Sequence, residues 1–256
     1  MDTGPKGPEQ LIKTHTPEGV SERLKKGTPQ SYLKDMVYGG IDGTITTFAI
    51  VSGVVGADLT SGIVVILGMA NLIADGFSMA VSNFLGTRAE QQFVQMVRTD
   101  EEREIELIPE GEREEIRQIY ARKGFKGELL EQVVEVITSD KTIWVDTMLQ
   151  EEHRLSIESP DPKRSAWLTF LAFLIAGFVP VTPFIVNLLI DDGIPNPFLW
   201  SAIATGITFF AIGIFKAKVV SAKKIRSGIE TVAIGGMAAT MAYGIGWLLR
   251  GFADNI

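Results

Sequence analysis

The 256-residue chain has no cysteine and only two histidines, His15 and His153. Without thiols, neither a disulfide framework nor a thiolate metal centre can form. Two imidazoles leave a zinc site of nitrogen and sulfur ligands nearly excluded. No G-x-x-x-x-G-K-[ST] occurs, so direct ATP drive through a phosphate-cradling loop is not expected. Charge is also missing over long stretches. Residues 36–57 carry one charged side chain, Asp42, residues 62–86 carry one, Asp75, and residues 165–190, 197–215 and 231–249 carry none. A helix crosses the ~30 Å apolar layer of a bilayer in about 20 residues. Five such runs lie far outside the usual helix lengths of soluble proteins. They predict an all-α, polytopic membrane protein with five transmembrane helices.

Residues 1–34 are polar, carry Pro5, Pro8, Pro17 and Pro29, and have no apolar stretch ahead of Met36. They read as a cytosolic N-terminal segment, not a cleavable signal. Lys6, Lys13, Arg23, Lys25, Lys26 and Lys34 precede the first run, and Arg88 through Arg164 lie between the second and third. Lys216, Lys218, Lys223, Lys224 and Arg226 lie between the fourth and fifth, whereas the turns at 58–61 and 191–196 ("DDGIPN") carry no base. By the positive-inside rule this alternation places the N-terminus in the cytosol and the C-terminus outside. The predicted organisation is an N-terminal segment (1–34), transmembrane helices 1–2 (35–89), a cytosolic acidic helical insert (90–160) and transmembrane helices 3–5 (161–256). A short N-terminus without a transit-type segment points to a prokaryotic plasma membrane.

The insert is chemically lopsided. Residues 90–158 hold 15 Glu and 3 Asp against 9 Lys and Arg, a net charge of −9 in a chain whose total is −7. The second run continues in helical pattern through "RAEQQFVQMVRTDEEREIELI" as far as Pro109. Three more helical stretches follow, "GEREEIRQIYARKG", "GELLEQVVEVITS" and "DKTIWVDTMLQEEHRLSIES", punctuated by Gly124, Gly127 and Pro160. Glu101 and Glu104 are three residues apart, as are Glu112 and Glu115, so each pair shares a helix face. Two readings stay open for them. One is a solvated acidic face, partly neutralised by bases such as Arg98 and Arg117. The other is metal binding through oxygen ligands.

Within the membrane, Asn71, Asp75 and Met79 follow one another at i, i+4 and form a polar stripe widened by Ser78, Ser82 and Asn83. On the first run Asp35, Gly39, Asp42, Thr46, Ala49 and Gly53 recur at spacings of 4 and 3, a seam of small and polar residues that lets helices approach closely. A carboxylate at mid-bilayer costs at least ~2.5–3.5 kcal/mol and usually faces a bundle interior or an aqueous path. A structural hydrogen bond to Ser, Thr or backbone is the plainer reading of Asp42 and Asp75.

Taken together, "YGGIDGTITTFAIVSGVVGA", "ANLIADGFSMAVSNFLGTRAE", a Glu-rich insert ending near "SPDPKR" and then "GFVPVTPF" closely resemble the vacuolar iron transporter family. The resemblance runs from Asp35 to Leu249. It implies five-helix protomers paired as a homodimer, with first helices lining a metal path at the twofold and an insert that gathers metal. It also implies export of Fe²⁺, and often Mn²⁺, from the cytosol in exchange for protons. By position the path residues would be Asp35, Asp42 and Met79, with Asp42 the central ligand, and the insert ligands Glu101, Glu104, Glu112, Glu115, Met148 and Glu152. Two positions depart from the plant-type pattern: Asn71 stands where that pattern has a glutamate, and Leu149 where it has a second methionine. Asp75, one turn from Asn71, is expected to stand in for the missing carboxylate.

Physical chemistry points the same way. A carboxylate in low dielectric holds its proton until a metal displaces it. One site that takes either ion and opens to alternate sides is an antiporter in outline. Met79 among oxygen donors suits Fe²⁺ better than Mg²⁺ or Ca²⁺, while Fe²⁺ and Mn²⁺ are not separated by these ligands. Pro180 and Pro183 should kink or open the third helix. The partners expected are divalent metal ions, protons, the lipid bilayer and a second copy of the chain. Neither an enzyme activity, an organic cofactor nor a nucleic acid is expected. The principal alternative is a divalent-cation channel gated by the acidic domain. A membrane-tethered metal buffer and an intramembrane aspartyl protease are weaker ones, the last because "GGIDG" matches Gly-x-Gly-Asp poorly.

Overall fold

The computed structural model describes residues 7, 11, 12, 15–26, 32–190, 193–219 and 222–253. Of the residues used above, Pro5, Lys6, Pro8, Lys13, Pro29 and Asp191 lie outside the described residues. Ten helices are described: α1 (Pro17–Lys26), α2 (Leu33–Gly56), α3 (Ser61–Leu107), α4 (Pro109–Arg122), α5 (Gly127–Thr138), α6 (Lys141–Glu151), α7 (Pro162–Phe178), α8 (Thr182–Leu189), α9 (Pro197–Val219) and α10 (Lys224–Ala253). Among the described residues there is no strand. The chain divides into two compact units, Met1–Phe84 with Lys163–Ile256, and Leu85–Pro162.

In the first unit α2, α3, α9 and α10 are each long and apolar enough to cross a membrane, which makes the chain a multi-pass membrane protein by length and composition. The helices α7 and α8 meet that test only together, as a pair bent by 54°, and would supply a fifth span if the pair is one. The bend falls where proline removes helix hydrogen bonds. Pro180 lies in the break, and Pro183 sits in the first turn of α8, where a missing N–H is tolerated. The free carbonyl of Pro180 accepts a hydrogen bond from the buried Ser201 hydroxyl of α9 at 2.6 Å.

Glycine sets the packing of α2. A Cβ built on Gly39 would lie 2.3 Å from the Thr169 carbonyl oxygen, and one on Gly43 would lie 2.4 Å from that of Phe173, so α2 crosses α7 backbone against backbone. At its other end Gly246 of α10 rests on Gly53, with a would-be Cβ 2.0 Å from the Gly53 carbonyl oxygen. The seam read from the sequence therefore brings together helices of a single chain at Gly39 and Gly53. Phe48, Val51, Val54, Val64, Val181 and Phe184 fill the apolar core beside it.

The second unit contains the C-terminal part of α3 with α4, α5 and α6. The 47-residue α3, roughly 70 Å long, stops at Leu107, and Pro109 opens α4 in its first turn. Gly124 and Gly127 adopt φ of +102° and +57° in the α4–α5 turn, a region where a side chain would be strained. Asp140 caps α6 by accepting from the backbone of Thr142 and Ile143 at 2.8 and 3.1 Å. Val97, Ile105, Ile116, Leu130, Val134, Ile137, Trp144, Val145, Met148 and Leu149 form the core. The last helical stretch is shorter than its pattern suggests. Instead of reaching Ser159, α6 ends at Glu151, where Arg154 turns left-handed at φ +56°. The turn is closed by backbone bonds from His153 to Met148 and from Leu155 to Leu149, at 3.2 and 2.8 Å.

Candidate metal centre

On α3 the residues Val97, Glu101 and Ile105 occupy successive buried positions at i, i+4, and on α4 Glu112 and Ile116 do the same. Two glutamates thus stand where the helical repeat puts core residues. Glu101 is 4% exposed and Glu112 1% exposed, so neither belongs to a solvated face. Each has one carboxylate oxygen, Oε2, buried and without a hydrogen-bond partner. Ionised groups so placed are costly unless a cation compensates them.

Four of the unit's bases are engaged elsewhere. Arg117 pairs with Glu131 at 2.9 Å and Glu114 at 2.5 Å, Lys141 with Glu106 at 2.6 Å, Arg98 with Asp146, and Lys123 with Glu151. These contacts hold Glu106, Glu114 and Glu131 below the usual carboxylate range. Among the described residues the ion pairs at the remaining cluster are with His153. Its Nε2 lies 2.7 Å from Glu101 Oε1 and 3.7 Å from Glu152 Oε2. One donor atom from each of Glu101, Glu152 and His153 falls within 4.8 Å of the others, a spacing suited to one metal ion.

Five of the six insert residues expected to bind metal lie close enough to perturb one another electrostatically: Glu101, Glu104, Glu112, Glu115 and Glu152. Burial, then the charges of Glu115, Glu101, Glu104 and Glu152, push Glu112 up to about 7. Burial is also the leading cause for Glu101 and Glu115, both of which are raised. After burial, the neighbouring Glu152 carboxylate is the next cause that raises Glu115. The hydrogen bond to Glu101 raises His153. The sixth residue, Met148, is fully buried in the apolar core beside Leu149. Its neighbour in space, His153, was missed from sequence, although a histidine following Glu152 at the end of an acidic helical stretch was there to be read.

In the first unit the expected path residues fall into two settings. Asp35, 9% exposed, accepts from Asn83 Nδ2 at 2.9 Å, and the same nitrogen lies 2.6 Å from Thr169 Oγ1 of α7. Asn71 donates to Thr46 Oγ1 at 3.3 Å, and Thr46 in turn donates to the Asp42 carbonyl at 2.9 Å. Asp42 and Met79 are half-buried. Asp75, Ser78 and Ser82 are exposed on a helix whose neighbours Ile73 and Phe77 are exposed as well. Asp42 and Asp75 are close enough for their carboxylates to interact. The stripe of α3 is thus split: its asparagines bind within the protomer, and its aspartate and serines face outward.

Comparison with known proteins identifies relatives along most of the chain. The model of the VIT family matches residues 33–247. The chain is 34% identical over 229 residues to the vacuolar iron transporter of Toxoplasma gondii (strain ATCC 50861 / VEG), covering 87% of this chain and 76% of that protein. It is 31% identical over 224 residues to the vacuolar iron transporter of Plasmodium falciparum (isolate 3D7), covering 85% and 82%. With vacuolar iron transporter 1 of Arabidopsis thaliana it shares 31% identity over 225 residues, 86% of each. A family match over nearly all of the helical core, together with relatives above 30% identity along most of their length, places the chain: it belongs to the VIT family.

Proposed function

We propose that the chain is a transporter that moves Fe²⁺, and Mn²⁺ with it, out of the cytosol in exchange for protons, with the acidic unit collecting the metal. Relatives named as iron transporters support the cargo. The observation that carries the reading is that Asp42 and an outward-facing Asp75 lie within electrostatic reach of each other, each the one charged residue of its stretch, 36–57 and 62–86. A carboxylate and two serines turned toward lipid would be unstable, so a second copy of the chain covering this face is part of the proposal. The covered face would then hold Asp42 as central ligand with Asp75, Met79 and Asn71 about it. Asp35 would stand at the cytosolic end.

Such a site works by competition between ions. Ionised carboxylates hold the metal, and protons arriving from the other side neutralise them and release it. The acidic unit, whose buried Glu101 and Glu112 have no lysine or arginine ion pair among the described residues, gathers metal from the cytosol. In this reading the N-terminus and residues 85–162 are cytosolic. A prokaryotic plasma membrane, expected from the sequence, has no support in the comparisons, whose relatives are named as vacuolar.

The test is metal uptake into proteoliposomes with an acidic lumen. Fe²⁺ uptake that collapses with the proton gradient, and that Asp42→Asn abolishes in correctly inserted protein, supports the proposal. Uptake that follows the metal gradient alone, indifferent to pH, would make the chain a channel. Absence of flux with metal still bound would make it a buffer.

A further inference from the structure

The acidic unit contains a donor that the carboxylate reading does not use. His153 is poised over the cluster with its ring nitrogen on Glu101 and toward Glu152, its side chain 34% exposed and backed by the left-handed turn at Arg154. Two donors bonded at about 2.1 Å to one ion are at most about 4.2 Å apart, and the three donor atoms here already lie within 4.8 Å. The 2.7 Å contact to Glu101 is the arrangement with a proton between the two atoms. A metal would enter by a small outward swing of an exposed ring. An independent sign that a cation belongs here is Glu112, 1% exposed, with a carboxylate oxygen lacking any partner and facing the charges of Glu101 and Glu152.

Resting on the reading of the acidic unit as a metal collector, we propose that Nε2 of His153 is a nitrogen ligand completing a metal position with Glu101 and Glu152, and that it sets the unit's preference among metals. Carboxylates alone suit Mn²⁺, Mg²⁺ and Ca²⁺, whereas imidazole adds affinity for Fe²⁺, Co²⁺ and Zn²⁺. The second unit thus discriminates where an all-oxygen cage would not. A lysine or arginine at this position would neutralise the glutamates but could not ligate; the unit's bases serve that role at Glu106, Glu114, Glu131, Asp146 and Glu151.

The experiment uses full-length protein in detergent, titrated anaerobically with Co²⁺ as a stable substitute for Fe²⁺ and separately with Mn²⁺. Wild type is compared with His153→Leu and with His153→Gln, which keeps a polar contact to Glu101. Since even outer-shell partners of ligands change affinity by about 10–100-fold, losing a direct donor should weaken Co²⁺ at least about tenfold. Mn²⁺ should change less than about threefold, and the ligand-field absorption of bound Co²⁺ should shift in both variants. Equal loss of both metals, or an unchanged Co²⁺ spectrum, overturns the assignment. Tighter binding of both metals would also overturn it, making His153 a counter-charge that the metal must displace. If the wild type binds neither metal at the acidic unit, so that Glu101→Gln and Glu112→Gln change nothing, the reading of the unit as a collector fails instead.

Discussion

The side-chain nitrogen of Asn83 lies 2.9 Å from Oδ1 of Asp35 and 2.6 Å from Thr169 Oγ1, so one amide on α3 ties a buried carboxylate on α2 to a hydroxyl on α7. Residues 48 and 86 positions from Asn83 thus meet at its amide. Replacing Asn83 with leucine leaves the Asp35 carboxylate buried without that donor, at a cost of about 1–3 kcal/mol. Asn83→Leu should lower the unfolding temperature in detergent, whereas Asn83→Gln should be milder. Equal unfolding temperatures for wild type and Asn83→Leu would show the link to be dispensable.

Asp75 and Asn71 lie one turn apart, about 6 Å along the axis, yet only Asn71 is hydrogen-bonded within the protomer. Among the described residues Asp75 has no hydroxyl partner, which speaks against a packing role. We expect Asp75→Asn to reduce transport severely, Asn71→Ala to be mild, and Asn71→Glu combined with Asp75→Asn to restore part of the flux with a shifted pH optimum. Wild-type transport by Asp75→Asn, normalised to inserted protein, would end the idea that Asp75 takes the place of a glutamate at Asn71.

The acidic unit should respond to pH in a definite direction. Glu112 is raised to about 7, and Glu101, Glu115 and His153 are raised as well. A raised folded-state value means stability is full below the unfolded value and is lost as pH rises through the folded one. For Glu112 that window runs from its ordinary 4.5 to about 7. Metal-free protein should therefore melt at lower temperature at pH 8 than at pH 5. Glu112→Gln should flatten the dependence, and added Mn²⁺ or Co²⁺ should reverse it by replacing protons with a cation. A profile identical in wild type and Glu112→Gln would place the pH sensitivity elsewhere.

Gly43 offers a control on the packing of α2. Its would-be Cβ lies 2.4 Å from the Phe173 backbone, whereas nothing lies within 4 Å of one on Gly236. Overpacking costs about 1–3 kcal/mol. We expect Gly43→Ala to lower thermal stability measurably and Gly236→Ala to leave it unchanged; comparable melting of the two would show that α2 and α7 part easily.

Much of this was already written in the chain. Charge-poor runs announced the candidate spans because a bilayer admits little else, and Pro109, Gly124 and Gly127 marked helix boundaries because their backbone chemistry is local. The motifs around Asp42 and Asp75 pointed to the family, which the comparisons bear out. Pro180 and Pro183 foretold a break, and the chain bends there by 54°.

Tertiary structure alone decided how similar residues divide their roles. Glu101 and Glu114 look alike in sequence, but one is buried beside His153 and the other is held by Arg117 at the surface. Which carboxylate finds a base depends on helix packing, and spacing along one helix carries no record of its neighbours. The same holds for Gly39 and Gly53: a small-residue seam says that helices come close, and only the fold shows those helices to be α7 and α10 of the same chain. His153 is the sharpest case. Adjacency to Glu152 was visible, but its approach to Glu101, 52 residues away, required α6 to end at Glu151 and the chain to turn left-handed at Arg154.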